Sequence, residues 1–317
     1  MQVRWTYNRP MRKSIAVTGV LLLSASLVGA AAPSAVSDNV FAGAVSGISA
    51  QAKAGAQTLT KSMNEDELLD LLNDRDPEVR KTALVNARDE MGGHTRVREK
   101  VIDMAEDTGE DVQVRREACR TLYWITGMPE VRETLLKLAE NDREMPVRVM
   151  AYKALFHASL SDTDIRRELL SAAERGEPEI RKAALWALFD SNSDPDVSRF
   201  LQGVASSGSE GAGIRLEALK SLYMGMNRSE VRDMMKTLAQ DGGEDKALRV
   251  GAIYALHAGK WDSDVRRLLE DLSKSPDRDI KLAAVRALGD DAGFFQVYFH
   301  LGRKNGPHGY IPPIVDE

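Results

Sequence analysis

Apolar residues recur along this chain with the period of an α-helix, and the same apolar stripe returns seven times. In each return a Val, Ile or Leu stands one position before a basic residue, an Ala stands three positions after it, and an Ala or Leu stands seven positions after it. These positions share one face of a helix with about 3.6 residues per turn. The pattern predicts an amphipathic helix whose apolar side is buried.

The basic residue of each return serves as the anchor that aligns the repeats. The seven structural repeat anchors are Arg80, Arg115, Arg148, Arg181, Arg215, Arg249 and Lys281. Successive anchors are 35, 33, 33, 34, 34 and 32 residues apart. Such regular spacing is typical of repeat proteins, in which each unit buries its apolar side against its neighbours.

A second apolar pattern predicts a partner helix in every repeat. It begins at 97, 131, 165, 197, 231 and 265, and the first repeat uses the leucines at 68–72. Short polar joints such as 161–164 and 241–244 separate the helices, and the sequence shows no alternating strand pattern. Each repeat is therefore predicted to be a helical hairpin.

Three returns resemble HEAT repeats. They are the segments 76–80, 177–184 and 279–289, which read DPEVR, EPEIRKAA and DIKLAAVRALG. They are most similar to the bacterial phycobilisome-lyase HEAT-like repeats, over roughly residues 64–290. We therefore expect an all-α fold, a right-handed α-solenoid of about seven HEAT-like hairpins that occupies residues 63–292.

An acidic residue stands four positions before six of the anchors. These residues are Asp76, Asp111, Glu144, Glu177, Asp245 and Asp277. At a helix N-terminus such a side chain can accept hydrogen bonds from free backbone N–H groups. The HEAT resemblance further implies that these acids pair with the anchors of neighbouring repeats.

The first 30 residues are predicted to be a secretory signal peptide. Arg12 and Lys13 precede an uncharged apolar run that ends in small residues near Ala30, where we expect cleavage. The mature protein is then periplasmic or secreted, and no other segment could span a membrane. An uncleaved anchor is the alternative, although the run is shorter than the roughly 20 apolar residues that a span needs. Residues 31–62, rich in Ala, Ser and Gly, are predicted to be a linker.

Aromatic and basic residues are predicted on the side of the anchor helices that points away from the apolar stripe. The partner-binding candidates are Arg116, Arg120, Tyr123, Lys153, Lys182, Trp186, Lys220, Tyr223, Tyr254 and His257. Tyr, Trp and Arg dominate the energetics of protein interfaces, so this side suits an acidic or extended partner. Alternatively, the aromatic rings, Phe156 and Phe189 above all, seal the joints between repeats.

The sequence predicts no catalytic residue, no cofactor and no metal site. Its five histidines lack metal-ligand spacing, Cys119 is the single cysteine, and no phosphate loop or nucleophile motif occurs. The formal charge is −5, and without residues 1–30 there remain 39 basic and 48 acidic residues, a charge of −9. This acidic balance argues against a nucleic-acid partner.

The apolar segment 294–301 is predicted to be a short capping helix, followed by a flexible tail, within residues 293–317. A docking peptide is the alternative. Together these features predict an exported, monomeric scaffold or adaptor that binds protein partners. The alternatives are an extracytoplasmic sensor arm tethered by an uncleaved N-terminal helix, and a tetrapyrrole lyase-like chaperone, which only the name of the family suggests.

Overall fold

The computed structural model describes residues 64–289, 294–295 and 298–299. The predicted signal peptide, the linker and the flexible tail lie outside these residues. The described range contains fifteen α-helices and no strand. The all-α solenoid that the sequence predicts is confirmed.

Each repeat consists of a first helix and a second helix, and the anchor always lies on the second helix. In chain order the pairs are α1 (Glu65–Leu72) and α2 (Pro77–Ala87) in repeat 1; α3 (Thr95–Glu106) and α4 (Val112–Leu122) in repeat 2; α5 (Pro129–Asn141) and α6 (Met145–Ala154) in repeat 3, followed by the one-turn α7 (Ala158–Ser161); α8 (Thr163–Arg175) and α9 (Pro178–Ala187) in repeat 4; α10 (Pro195–Ser206) and α11 (Ala212–Ser221) in repeat 5; α12 (Ser229–Gln240) and α13 (Lys246–Ala255) in repeat 6; and α14 (Ser263–Leu272) and α15 (Arg278–Leu288) in repeat 7.

Second helices of consecutive repeats pack directly against one another and form one layer of the stack. The alanine three positions after each anchor is buried in all seven repeats. Its small side chain allows this close approach, because a larger residue in a well-packed core forces its neighbours apart. First helices pack against their own second helices and contact each other less closely.

Four of the predicted acidic caps are confirmed. Asp76, Asp111, Asp245 and Asp277 each accept hydrogen bonds from backbone N–H groups in the first turn of their second helix, with N–O distances of 2.8 to 3.4 Å. Glu144 and Glu177 occupy the same cap position without such a bond. The two glutamates therefore differ from the prediction.

Five anchors form ion pairs with the following repeat. The pairs are Arg80–Glu110, Arg115–Asp142, Arg148–Glu177, Arg181–Glu210 and Arg215–Glu244. Only Glu177 belongs to the set of acids implied by the HEAT resemblance. The correction has a physical reason in two repeats: Asp111 and Asp245 accept from backbone N–H groups, so the preceding Glu110 and Glu244 reach the guanidinium instead. In the other two repeats the cap position holds Gly211 or Glu144, neither of which makes a side-chain cap bond, and Glu210 and Asp142 form the pairs. No ion pair joins Arg249 or Lys281 to another described residue.

Candidate functional site: the second-helix face

The second-helix face comprises the side chains one, five and eight positions after each anchor. All ten partner-binding candidates lie at these positions. The structure divides them into two parts. The open part, in repeats 2 to 4, is basic and partly accessible, whereas the covered part, in repeats 5 and 6, already lies against another segment of the chain.

Basic side chains dominate the open part. Lys182 is exposed and Arg116 is half-exposed, and neither makes an ion pair with another described residue. Arg120 lies 3.0 Å from Glu117, which also pairs with Arg88 at 3.0 Å. Burial, followed by the charge of Arg120, lowers the pKa of Arg88, although Glu117 opposes both effects.

Arg116 and Lys182 each directly follow a paired anchor in the sequence. Arg115 donates to the carboxylate of Asp142, whereas Arg116 is half-exposed. In the same way Arg181 donates to Glu210 at 2.8 Å, whereas the next residue, Lys182, is exposed. In both dibasic pairs the first residue joins two repeats, whereas the second makes no ion pair with another described residue.

The predicted ridge of exposed aromatic side chains is not present in the open part. Tyr123 and Trp186 are only 1% and 2% exposed, and they pack with Phe156 and Phe189 into one cluster. The ring centroids of Phe156 lie 6.4 Å from Tyr123, 4.9 Å from Trp186 and 6.2 Å from Phe189. The second helices end one or two residues before the position eight after the anchor, and the turn that follows directs those rings into the joint. This cluster fits the alternative prediction, in which aromatic rings seal the joints between repeats. Lys153 remains half-exposed, with its ammonium 5.6 Å from the centroid of Trp186.

A polar chain that the sequence did not indicate crosses three repeats beside this cluster. The hydroxyl of Tyr123 lies 2.6 Å from Nε2 of His157, whose Nδ1 lies 3.6 Å from Asp190. His157 and Asp190 both stand nine positions after their anchors, and that shared offset is the signal that could have revealed the chain. Because Tyr123 is buried and the chain links three repeats, we interpret the chain as structural.

The covered part lies against the C-terminal aromatic segment, which we define as Phe294, Phe295, Tyr298 and Phe299. The contacts, as centroid distances, are Tyr223–Phe299 at 4.1 Å, His257–Phe295 at 3.9 Å, Tyr254–Phe294 at 4.8 Å and Tyr254–Tyr298 at 4.8 Å. The ammonium of Lys220 lies 5.0 Å from the Tyr298 ring, within cation–π range. Burial raises the pKa of Tyr223 to about 12 and also raises the pKa of Tyr298.

The C-terminal aromatic segment does not cover the end of the stack, as the predicted capping helix would. Leu282 and Val285 of the last second helix remain 40% and 52% exposed. The residues equivalent to Val285 in the six preceding repeats are all buried, namely Leu84, Cys119, Tyr152, Leu185, Leu219 and Ile253. The four aromatic residues instead run back along the second-helix face, from repeat 7 towards repeat 5.

Reactive groups are scarce in the described part of the chain. Within it, no group of three or more His, Cys, Asp or Glu residues could hold a metal ion. Burial raises the pKa of Cys119 to about 12, so its thiol stays protonated at neutral pH. No helix among the described residues is both long and apolar enough to cross a bilayer.

Residues 65–155 match the family of HEAT repeats. Three solved structures are similar to this chain. Kap95 in the Kap95:Nup1 complex is 15% identical with a TM-score of 0.51, and the match covers 71% of this chain and 34% of Kap95. YibA of Escherichia coli is 21% identical over 76% of this chain and 87% of its own, with a TM-score of 0.49. The CpcE–CpcF complex of phycocyanin lyase from Nostoc is 17% identical over 75% of this chain and 94% of its own, with a TM-score of 0.44.

None of the curated proteins matches the chain. The similarity to Kap95, at 15% identity and a TM-score of 0.51, shows the fold alone. An α-solenoid suggests a protein-binding scaffold, but the fold does not decide whether a protein is an enzyme.

Proposed function

We propose that this protein is an exported, non-catalytic HEAT-repeat scaffold that binds an acidic segment of a protein partner on the open part of the second-helix face. The observation that supports this most is the position of Arg116 and Lys182. Both follow an anchor that is held in an ion pair, yet neither has an ion-pair partner among the described residues.

The electrostatics of the open part suit an acidic partner. Arg116, Arg120, Lys153 and Lys182 come from three consecutive second helices, and Glu117 offsets part of their charge. The chain as a whole is acidic, so this local basic area contrasts with the remainder of the surface. A positive area of this kind accelerates encounter with a negative segment and selects against positive ones.

Export rests on the predicted signal peptide. If the signal is cleaved near Ala30, the protein is a free periplasmic or secreted scaffold. If it is retained, the repeats form an extracytoplasmic sensor arm tethered to the membrane. Mass spectrometry of the mature N-terminus in the native cell distinguishes the two, and an intact Met1 on a cytoplasmic protein would contradict both.

Charge reversal tests the binding site. We expect the full-length protein to bind a fluorescein-labelled glutamate-rich peptide, with an affinity that falls as salt is added. The double variant Arg116→Glu, Lys182→Glu should weaken binding by roughly tenfold, which corresponds to about 1.4 kcal/mol. The proposal fails if this variant keeps its helical circular dichroism signal and binds the peptide as the wild type does.

A matched control changes the charge equally on the other layer. Arg167 and Arg199 are exposed on the first helices α8 and α10, where they pair only with Asp164 and Asp196 of their own helices. Arg167→Glu, Arg199→Glu should leave peptide binding near the wild-type level. Equal losses in both double variants would indicate a response to net charge and not to a defined site.

A further inference from the structure

The C-terminal aromatic segment has the spacing of a helical recognition motif. Phe294, Phe295, Tyr298 and Phe299 occupy positions i, i+1, i+4 and i+5, which share one side of a helix. The backbone is helical at Phe294, Phe295 and Tyr298. Phe295 and Phe299 are at most 1% exposed, and Phe294 and Tyr298 are partly buried, so this side lies against the repeats.

Every ring of the segment meets a complementary side chain on the second-helix face. Phe299 stacks on Tyr223 with an interplanar angle of 19°, and Phe295 stacks on His257 with an angle of 13°. The guanidinium of Arg286 lies 4.5 Å from the Phe294 centroid. Such stacked and cation–π contacts are directional, unlike simple apolar burial, and favour a ring at each position.

The second helix α13 provides room for Tyr298 at a glycine beside the second-helix face. A Cβ atom at Gly251 would lie 3.2 Å from the Tyr298 hydroxyl and 2.7 Å from Cδ1 of Leu216. Gly251 stands two positions after its anchor, where the other repeats carry Thr82, Glu117, Met150, Ala183, Glu217 and Ala283. Only in repeat 6 does this position lack a side chain, and there the backbone approaches the segment closely.

The C-terminal aromatic segment does not cover the apolar side chains at the end of the solenoid. Leu282 and Val285 stay exposed, although they are the apolar side chains that an end cap would be expected to cover. The segment lies instead on the residues that continue the open part of the face. Its position is that of a bound ligand.

We infer that the C-terminal aromatic segment is an internal ligand that reversibly occupies the covered part of the second-helix face. The partner site in repeats 5 to 7 then recognises a helical segment with aromatic residues at i, i+1, i+4 and i+5, which must displace the chain's own copy. This inference rests on the proposed function for the use of the face, but it concerns aromatic recognition, not charge. The internal ligand leaves the site vacant for only a fraction of the time. The apparent affinity for a competing segment is therefore reduced to that fraction of its intrinsic value.

A peptide in trans tests the inference. The probe is a fluorescein-labelled synthetic peptide with the sequence of residues 290–303. The full-length variant Phe295→Ser, Phe299→Ser weakens the internal ligand and should bind the probe at least about tenfold more tightly than the wild type. Adding Tyr223→Ala to this variant removes the ring that stacks on Phe299 and should abolish the gain. Met224→Ser, an exposed change next to Tyr223, is the control and should bind the probe as weakly as the wild type.

Equal probe binding by the wild type and the folded Phe295→Ser, Phe299→Ser variant would overturn the inference, as would no binding by that variant. Hydrogen exchange on the wild type covers the case in which the variant unfolds. Residues 294–299 should exchange through local opening while α13 stays protected. Exchange of both at one rate would show that the segment is an integral part of the core.

The two peptides separate this inference from the proposed function. Binding of the glutamate-rich peptide depends on Arg116 and Lys182, and binding of the aromatic probe depends on Tyr223. Loss of the first with retention of the second would remove the acidic-partner proposal and leave the internal ligand in place. Loss of aromatic-probe binding with retention of glutamate-peptide binding would remove the internal ligand and leave the acidic-partner proposal in place.

Discussion

The hydroxyl of Tyr123 lies 2.6 Å from Nε2 of His157, across the joint between repeats 2 and 3. Tyr123 is buried, whereas His157 is partly exposed, and Nδ1 of His157 in turn faces Asp190 of repeat 4 at 3.6 Å. A buried hydroxyl that has lost its water needs such a partner. The pair therefore helps to fix the stacking of neighbouring repeats.

Removing this hydroxyl should destabilise the protein. We expect Tyr123→Phe to lower the free energy of unfolding by about 1 kcal/mol, because the ring packing is kept and a buried hydrogen bond is lost. Urea denaturation followed by circular dichroism measures the change. Tyr223→Phe is the control, since no hydrogen bond of the Tyr223 hydroxyl to a described residue is lost. An equal effect of the two substitutions would contradict the role given to the Tyr123–His157 pair.

Replacing the alanine three positions after an anchor with a larger residue should destabilise the protein. Ala218→Leu is expected to cost about 1–3 kcal/mol of unfolding free energy, because α9, α11 and α13 pack closely in the second-helix layer. Ala212→Leu, at an exposed position of the same helix, should change stability by no more than about 0.5 kcal/mol. Thermal and urea unfolding of both variants would decide, and tolerance of Leu at 218 would argue against tight packing there.

Acid should weaken the ion pairs between repeats. Hydrogen bonding from Arg181 lowers the pKa of Glu210, and hydrogen bonding from Arg215 lowers that of Glu244. A lowered folded-state pKa means that the stabilisation is present above the ordinary pKa of glutamate and is lost as pH falls through the lowered value. We expect Glu210→Gln to flatten the fall in unfolding free energy between about pH 5 and about pH 3.

The control for the acid experiment is Glu174→Gln. Glu174 is exposed and pairs with its neighbour Arg175 in the same helix, so its loss breaks no link between repeats. Its pH profile should follow the wild type. A Glu210→Gln profile with the wild-type slope would show that the Arg181–Glu210 pair contributes little to the pH dependence of stability.

Glu168 should stabilise the folded protein more when its carboxyl group is neutral. Burial and the charge of Glu140 raise the pKa of Glu168, although a hydrogen bond with Tyr152 opposes the shift. A raised folded-state pKa means that the protonated carboxyl group stabilises the folded state, an effect that is fully present below the ordinary pKa of glutamate and is lost as pH rises through the raised value. Glu168→Gln should therefore increase the unfolding free energy at pH 7 relative to the wild type and have less effect in acid. A loss of stability at neutral pH would show that the charged form is needed.

The hairpins and their order follow from the sequence alone. Three local or repeated signals predict the fold. They are the helical period, the near-constant spacing of the anchors and the alanine three positions after each anchor. The sequence also indicates that Arg116 and Lys182 lie outside the apolar stripe. Their accessibility follows directly from the helical period.

Other features were decided by the tertiary structure. The choice of Glu110 over Asp111 as the partner of Arg80 depends on which side chain is already used as a cap and on how far the other reaches. The burial of Tyr123 depends on the turn after its second helix, and the burial of Trp186 depends on the ring of Phe156 that packs against it. The covered part of the face depends on contacts such as Tyr223 with Phe299, which join residues far apart in the chain. Periodicity reports which residues share a side of one helix, but it contains no information about which other segment folds over that side.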